Sequence, residues 1–384
     1  MSQRKYPAVF MRGGTSRAIV FHEKDLPEDQ AARDVVFLKA LGSPDPNGRQ
    51  LDGLGGGISS LSKIAVVAPS ARAEADVDFT FAQVGVTDET VDYVGTCGNI
   101  SSAVGPFAVD EGLVEVDEGT ATVRVYNTNT GKTYHARFPV EDGAAGVGGA
   151  FELPGVSGAG ARITLEFMDP GGAATGKLLP SGNAVDTFEI EGIGRVEASM
   201  VDATNPMVFV RAADLGLTGG EGPGLIDARV EVMVNLEQIR AEAAVRMGLA
   251  RDRREASESV QAVPKVVLVA PPLEYIDLKG EIVAAEDCDI AARIISMGKT
   301  HRAFALTGAM CLAVAARIPG TLTHEAARSA EGDIRLGHPS GVQTINAVVS
   351  ETPEGPKAEK VIVYRTARRL MEGMVCVPQV DRGG

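Results

Sequence analysis

The chain has 384 residues, of which 44% are hydrophobic, and carries a formal net charge of −14 at pH 7. This length suits two domains of similar size, and the negative charge argues against nucleic acid and anionic membrane surfaces as partners. The lack of tryptophan and the aromatic content of only 5% also argue against a surface for stacking bases or sugars.

The first half of the chain predicts strands around one apolar helix. Residues 5–21 predict two strands joined by a polar, glycine-rich turn, and residues 31–42 predict a helix. A glycine loop leads into a strand within residues 50–70, and the alternation of residues 75–86 is typical of another strand. Further strands are predicted within residues 113–140, where NTNTGK indicates a hairpin turn.

Lys63 lies between the glycine loop and the apolar run IAVVA. Most lysines are solvated, and one at this place could simply mark the exposed end of a strand. Burial there would instead lower its pKa and make a neutral amine available as a base. Taken alone, this is a weak indication of a catalytic lysine.

Residues 95–112, GTCGNISSAVGPFAVDEG, predict a buried helix with Cys97 in its first turn. A free cysteine is usually a small buried hydrophobe. However, a helix N-terminus favours a thiolate, Gly98 permits close backbone approach, and Asn99 offers a polar side chain. We therefore take Cys97 as the candidate reactive thiol, whereas Cys311, inside a second apolar helix, is interpreted as inert core.

The second half of the chain repeats this plan. Residues 196–212 resemble the opening strand, turn and strand, residues 263–272 predict a buried strand, and residues 300–321 predict the second small-residue helix. Residues 221–259 predict a charged surface helix, and residues 358–379 predict two closing strands. The sequence thus predicts an α+β fold of two similar domains, each with strands wrapped around a central helix.

The expected domains are residues 1–190 and 191–384, with the last strands able to pack back on the first domain. Two helix N-termini would then face a shared interdomain cleft, an arrangement suited to binding carboxylates.

Three polar loops, MRGGTSR, LPSGN and GHPSG, combine turn glycines with hydroxyl donors beside strands. Each could be only a turn, but their recurrence also suits nests for a carboxylate. The predicted substrate-binding residues come from these loops, a proline-marked turn and the two helix starts: Arg12, Thr15, Ser16, Gly98, Asn99, Ser181, Gly182, Asn205, Thr307, Gly308, His338, Ser340 and Gly341.

Two glycine-rich segments imitate nucleotide-binding motifs. Residues 171–178, GGAATGKL, have the spacing of a phosphate loop but lack the Ser/Thr that reaches magnesium and the strand-to-helix context. Residues 53–57, GLGGG, do not open a convincing dinucleotide-binding βαβ unit. We therefore expect no nucleotide cofactor.

The four cysteines, Cys97, Cys288, Cys311 and Cys376, show no CxxC or Cys/His ligand spacing. Reduced thiols are therefore favoured over disulfides or zinc. The N-terminal residues lack the apolar segment of a signal peptide, and no stretch approaches the roughly 18 apolar residues of a membrane span. The sequence predicts a soluble, cytoplasmic protein that binds no metal. It is compatible with a homodimer.

The motifs MRGGTS, GSPDPNGRQLDGLGG, SKIAVVAPS, DVDFTFAQV, CGNISSAVGPFA and GHPSG together resemble one family across nearly the whole chain. It is the PrpF family of 2-methylaconitate cis–trans isomerases, which includes 4-oxalomesaconate tautomerases and 3-methylitaconate isomerases. The resemblance implies a diaminopimelate epimerase-like fold and cofactor-free proton transfer on unsaturated di- and tricarboxylates. It also implies that Lys63 and Cys97 form the acid–base pair.

Two differences between this sequence and its expected relatives narrow the choice of reaction and substrate. The second helix begins Leu306-Thr307-Gly308 without a cysteine, which disfavours racemisation by paired thiols. The GTCGN entry differs from the QNCGN-like entry of tautomerases, which weakens the oxalomesaconate assignment. Isomerisation of an aconitate- or itaconate-like acid is thus the first expectation, and oxalomesaconate tautomerisation is the second. A non-catalytic tricarboxylate-binding protein, or an accessory protein for a dehydratase, is the alternative of another class.

Overall fold

The computed structural model describes residues 3–328 and 331–378. They form two compact units, the first made of residues 3–168 and 364–378, the second of residues 169–328 and 331–363. The boundary expected after residue 190 differs from this division, because the strand that ends at Ile190 pairs with the strand that follows it in the second unit.

The first unit contains two helices, α1 (Gln30–Leu41) and α2 (Ser101–Asp110). Its strands are β1 (Gln3–Gly13), β2 (Ser16–His22), β3 (Lys63–Pro69), β4 (Val77–Val84), β5 (Val91–Asp92), β6 (Gly119–Asn127), β7 (Lys132–Glu141), β8 (Ala144–Ala145), β9 (Phe151–Glu152), β10 (Ala159–Gly160), β11 (Ile163–Met168) and, from the C-terminal segment, β23 (Ala367–Pro378).

The second unit contains five helices, α3 (Pro223–Asp227), α4 (Val230–Arg246), α5 (Arg253–Glu258), α6 (Leu306–Ala315) and α7 (Leu322–Ala326), within its described residues. Its strands are β12 (Asp186–Ile190), β13 (Gly194–Ala203), β14 (Asn205–Arg211), β15 (Lys265–Ala270), β16 (Tyr275–Ile276), β17 (Ile282–Val283), β18 (Ile290–Ser296), β19 (Lys299–Thr300), β20 (Ile334–His338), β21 (Gly341–Thr352) and β22 (Gly355–Arg365), whose last two residues belong to the first unit.

The two units repeat one pattern of strand pairing. In the first, β1, β2, β3, β4, β6, β7 and β11 pair in that order, with β2–β3 and β4–β6 parallel and the other pairs antiparallel. In the second, β13, β14, β15, β18, β20, β21 and β22 pair in the same sequence of directions. The internal repeat that the sequence predicted is therefore present in the topology.

Helix α2 is the core of the first unit. All of its residues except Asp110 are buried, and it contacts β1, β3, β6, β7, β11 and β23. Small side chains permit this enclosure, since a Cβ on Gly105 would lie 2.7 Å from the Phe138 ring. In the second unit α6 is similarly buried and contacts β13, β14 and β21. The predicted α+β class, with strands around a central helix in each half, is confirmed.

Strand β3 explains how an apolar run carries one charged residue at its start. Ile64, Ala65 and Val67 are fully buried, because β3 lies between β2 and β4 and is covered on both faces, as parallel-paired strands usually are. Lys63 is its first residue and is also buried. The chain therefore holds the amine at the edge of an apolar layer rather than in open solvent.

None of the helices within residues 3–328 and 331–378 has both the length and the apolar character that crossing a membrane requires.

Candidate active site

The amine of Lys63 is held by the neighbouring strand. Lys63 is 8% exposed and pairs with Gln83 across β3 and β4. Its Nζ donates to Gln83 Oε1 and lies 5.2 Å from the centre of the Phe81 ring. The Gln83 amide nitrogen donates to the carbonyls of Ser62 and Ser59, at 2.9 and 3.1 Å, which turns Oε1 towards the lysine. The amine is thus positioned by a fixed acceptor.

Burial lowers the pKa of Lys63, and the charge of Cys97 offsets part of that shift. The lowered pKa means that the amine can lose its proton more readily than a solvated lysine does. The effect of Cys97 on Lys63 indicates that the two predicted catalytic groups are near each other in the first unit.

The glycine loop before β3 serves to fix this strand end. Gln50, 1% exposed, donates to the hydroxyls of Ser43 and Ser62 at 2.8 and 2.7 Å and accepts from Gly57 N at 3.0 Å. A Cβ on Gly55 would lie 2.6 Å from the Leu41 carbonyl oxygen, so the loop packs too closely for a side chain there. This packing gives the GLGGG segment a structural role beside Lys63.

Cys97 lies just before α2 and is partly exposed. Its carbonyl accepts from Ser101 N at 2.9 Å and from Ser101 Oγ at 3.0 Å, so the helical bonding begins at Cys97 although α2 itself starts four residues later. The N–H groups of residues 98–100 have no acceptor within the described part of the chain. These free donors and the helix dipole favour negative charge at this position.

The turn between β1 and β2 packs on this helix start. Asn99 Nδ2 donates to Thr15 Oγ1 at 3.0 Å, and a Cβ on Gly13 would lie 2.6 Å from the Asn99 carbonyl oxygen. The motifs MRGGTS and CGN, more than eighty residues apart, therefore form one structural feature. Ser16 opens β2 within it and is buried, with 3% exposure.

Arg12 stabilises the same turn through backbone contacts. Its Nη1 donates to the carbonyls of Gly14 and Thr366, both at 2.9 Å, while Gly14 N donates to Thr366 O at 2.9 Å. Burial and the nearby charge of Arg368 lower the pKa of Arg12. Its direct role in carboxylate binding stays a prediction.

Arg365 is a functional candidate that the sequence did not indicate. It ends β22, is 7% exposed, and donates from Nε to Asn99 Oδ1 at 3.0 Å. Burial lowers its pKa to about 10, and the charge of Cys97 opposes that shift. The charge of Cys97 thus acts on two buried cationic side chains, Lys63 and Arg365, in a protein whose net charge is strongly negative.

In the second unit the LPSGN and GHPSG loops direct their polar groups to internal partners. Ser181 Oγ donates to Asp186 Oδ2 at 2.5 Å, in a loop whose Gly182 has a φ of +82°. Ser340 Oγ donates to the Arg302 carbonyl at 2.5 Å, and its N donates to His338 Nδ1 at 3.2 Å.

His338 is buried, which together with the charge of Arg293 lowers its pKa to about 4. The carbonyls of His338 and Gly341 both accept from the Tyr275 hydroxyl, at 3.0 and 2.9 Å. These two residues thus anchor the turn between β20 and β21.

The second unit repeats the helix start without a thiol. Thr204 Oγ1 donates to the Thr307 carbonyl at 2.9 Å, and a Cβ on Gly308 would lie 2.7 Å from Ile294 Cδ1. Asn205 opens β14, and its Oδ1 is buried with no hydrogen-bond partner in the described residues. Lys265 opens β15 as Lys63 opens β3, and burial lowers the pKa of Lys265 too.

Residues 171–178, which have the spacing of a phosphate loop, bind a carboxylate of the protein itself, that of Asp202. Ala174 N and Thr175 N donate to Asp202 Oδ2 at 2.8 and 2.7 Å, and Gly172 N donates to the Asp202 carbonyl at 2.7 Å. Because Asp202 is fully buried, this loop binds an internal anion. Within residues 3–328 and 331–378, no group of three or more His, Cys, Asp or Glu side chains is placed to hold a metal ion.

The other three cysteines have different surroundings. Cys311 is buried in α6, donates to the Val201 carbonyl at 3.4 Å, and has a pKa raised by burial. Cys288 is buried, and burial raises its pKa as well, whereas Cys376 is exposed on β23. Cys97 is partly exposed and its charge acts on Lys63 and Arg365, whereas Cys288, which has Arg328 and Arg335 nearby, is buried.

Cys311→Ser is expected to leave kcat per folded molecule unchanged, because its thiol is a packing group with an internal acceptor. A modest fall in Tm is expected from burying a hydroxyl in place of the thiol. Steady-state kinetics and thermal unfolding of the purified variant check this. A large loss of kcat with an intact fold would show that the second helix thiol takes part in the reaction.

Comparisons with known proteins agree with this geometry. A family model described as PrpF protein matches residues 3–378. The chain is 44% identical to 3-methylitaconate isomerase of Eubacterium barkeri over 378 residues and 43% identical to 2-methyl-aconitate isomerase of Shewanella oneidensis over 389 residues, with 98% of each chain covered in both cases. It is 35% identical to 4-oxalomesaconate tautomerase of Pseudomonas putida, over 100% of this chain and 99% of that protein.

A solved structure described as methylitaconate-delta-isomerase has a TM-score of 0.91 and 43% identity to the chain. The match covers 98% of this chain and 96% of that one. At this level of similarity the whole fold is shared, and the resemblance inferred from the motifs is confirmed.

Proposed function

The chain belongs to the PrpF family, and from that premise we propose that it is an isomerase of unsaturated di- or tricarboxylic acids that works by proton abstraction and return. The observation that carries this proposal is the pair formed by Lys63, the first residue of β3, and Cys97, in the turn before α2, whose charge acts on the amine of Lys63. Simple binding of a carboxylate would require neither a buried amine nor a thiol.

The chemistry follows from the substrate class. A proton on the carbon next to a C=C–COO⁻ group is acidic because the resulting carbanion delocalises into the unsaturated carboxylate. One group removes that proton, and another returns a proton to the same carbon or to the allylic carbon. Return to the same carbon after bond rotation gives cis–trans isomerisation, whereas return two carbons away moves the double bond.

Donors for the developing dienolate are available around Cys97. The free N–H groups of residues 98–100 suit a carboxylate whose negative charge grows in the transition state. The remaining predicted carboxylate ligands, Thr15, Ser16, Asn205, Thr307 and Ser340 among them, stay predictions that single substitutions can test.

An aconitate- or itaconate-like acid is the first candidate substrate. The relatives named for methylitaconate and 2-methylaconitate are 44% and 43% identical to the chain, against 35% for the tautomerase. Oxalomesaconate is therefore the second candidate. A screen of 2-methylaconitate, aconitate, 3-methylitaconate and oxalomesaconate, with products identified by NMR, tests the proposal through the ratios of kcat/KM. Conversion of none of the four acids would contradict it.

Activity is expected to survive EDTA and exhaustive dialysis, because Lys63 and Cys97 together supply both proton transfers. The measurement is kcat before and after chelation, with the dialysed protein assayed in metal-free buffer. Loss of activity that one added metal ion restores would contradict the cofactor-free mechanism.

A further inference from the structure

Arg365 is a buried cation whose hydrogen bonds leave part of its guanidinium free. Nε donates to Asn99 Oδ1 at 3.0 Å, and Nη1 donates to the Tyr364 carbonyl at 2.7 Å. Nη2 makes no hydrogen bond, and the side chain forms no ion pair, within residues 3–328 and 331–378. With 7% exposure, most of the side chain is shielded from water.

A buried charge without a counter-ion is unfavourable unless a nearby anion offsets it. Arg365 keeps its charge at neutral pH even though burial lowers its pKa to about 10. Its guanidinium is fixed to Asn99, two residues after Cys97, and the charge of Cys97 acts on it. The thiolate form of Cys97 is thus an anion placed to compensate this cation in the free enzyme.

The charged groups around α2 leave Cys97 facing cations. Lys63 approaches from β3 and Arg365 from the end of β22. Arg12 on β1 is engaged with backbone carbonyls. At the opposite end of α2, Asp110 and the neighbouring Glu111 pair with Arg369 of β23, and Glu111 also pairs with His22 of β2. Glu166 on β11 pairs with Arg137 of β7.

We propose that Arg365, held by Asn99, stabilises Cys97 as a thiolate in the free enzyme, so that Cys97 is the base that removes the substrate proton and Lys63, as the ammonium ion, is the acid. This assignment rests on the proposed isomerase function. Arg365 is a positioning residue in this scheme, because it acts through the protonation state of Cys97.

The proton balance closes within the pair. The thiolate takes a proton from carbon and becomes a thiol, while the electron pair of that C–H bond delocalises into the unsaturated carboxylate. For a double-bond shift, the ammonium of Lys63 gives its proton to the allylic carbon, and the thiol proton then passes to the amine. For cis–trans isomerisation, the ammonium of Lys63 gives its proton, after bond rotation, to the carbon that lost one, and the thiol proton again passes to the amine.

The test is the pH titration of thiolate ultraviolet absorbance in substrate-free protein, with the Cys97→Ser variant subtracted to isolate the signal of Cys97. In the parent protein the Cys97 pKa is expected below the free value of about 8.5. Arg365→Gln should raise it by about 1–3 pH units, since an opposite charge nearby has been removed. Arg365→Lys, which keeps the charge, should restore most of the shift.

A matched control is Arg368→Gln, which removes an exposed positive charge three residues further along the chain and should leave the Cys97 titration unchanged. Peptide-level measurement of the iodoacetamide reaction rate separates Cys97 from the exposed Cys376. The proposal predicts slower alkylation of Cys97 at neutral pH in Arg365→Gln. If that variant proves unstable, Asn99→Ala decides in its place, because it removes the amide oxygen that holds the Arg365 guanidinium and should also raise the Cys97 pKa.

An unchanged Cys97 titration in folded Arg365→Gln, with a higher KM as its only effect, would overturn the proposal and make Arg365 a substrate anchor. A Cys97 pKa at or above the free value in the parent protein would overturn it as well. Because the titration needs no substrate, either result leaves the proposed isomerase function to be judged separately by the acid screen.

Discussion

Cys97→Ser is expected to lower kcat by roughly 10²–10⁴-fold, the usual contribution of a positioned acid–base group. Serine keeps the shape of the side chain and the two hydrogen bonds that the Cys97 carbonyl accepts from Ser101. Its hydroxyl, however, ionises far above neutral pH and cannot exchange a proton with carbon at a useful rate. Substrate binding should persist, because the free N–H groups of residues 98–100 remain.

The measurement is kcat and KM for the acid that the parent protein converts best, with Cys311→Ser and Cys376→Ser as matched controls. Both controls replace the same atom at sites without neighbouring active-site cations. Near-normal kcat in Cys97→Ser would return Cys97 to the role of a packing residue.

Lys63→Met is expected to produce a loss of the same order, roughly 10²–10⁴-fold in kcat. Methionine keeps the apolar stem against the Phe81 ring and removes the amine that bonds to Gln83 Oε1. The thiol would then lack its proton-exchange partner, so neither isomerisation nor a double-bond shift could be completed at the normal rate. Rates measured across pH should show the loss at every pH rather than a displaced optimum.

The internal repeat provides the control for Lys63→Met. Lys265 opens β15 as Lys63 opens β3, and burial lowers the pKa of both side chains. Lys265→Met therefore imposes a similar change on a strand start where, among the described residues, no cysteine charge acts on the amine, and we expect a much smaller effect on kcat. If kcat fell equally in the two variants, the effect of Lys63→Met would be explained by damage to the strand and not by loss of a catalytic amine.

Local patterns were sufficient to predict the central helices and the strand that carries Lys63. The apolar run after Lys63 predicts a strand that is buried on both faces, and β3 is such a strand. The small and apolar residues after Cys97 predict a helix that is buried on all sides, and α2 is such a helix. The predicted helix start was less accurate, since α2 begins at Ser101 and Cys97 belongs to the turn before it.

Pairing between distant segments could be predicted only coarsely. The last strands were expected to be able to pack back on the first domain, and β23 pairs with β1 along its whole length, but no local pattern identifies that particular partner more than 350 residues away. Arg365 was missed for the same reason, because its importance comes from its contact with Asn99 rather than from the surrounding YRTARR. Gln83 was missed likewise, because in the sequence it is an ordinary polar position of an alternating strand, and only its contact with Lys63 gives it a role.

Incorporation of solvent deuterium into the substrate, followed by NMR in deuterated water, tests the acid–base pair most directly. With the parent protein and with Cys311→Ser, we expect exchange at the carbon next to the C=C–COO⁻ group, together with isomer formation. With Cys97→Ser and with Lys63→Met, turnover and its coupled exchange should fall by roughly 10²–10⁴-fold. Exchange and turnover at the parent rate in both of these variants would show that Lys63 and Cys97 are not the acid–base pair.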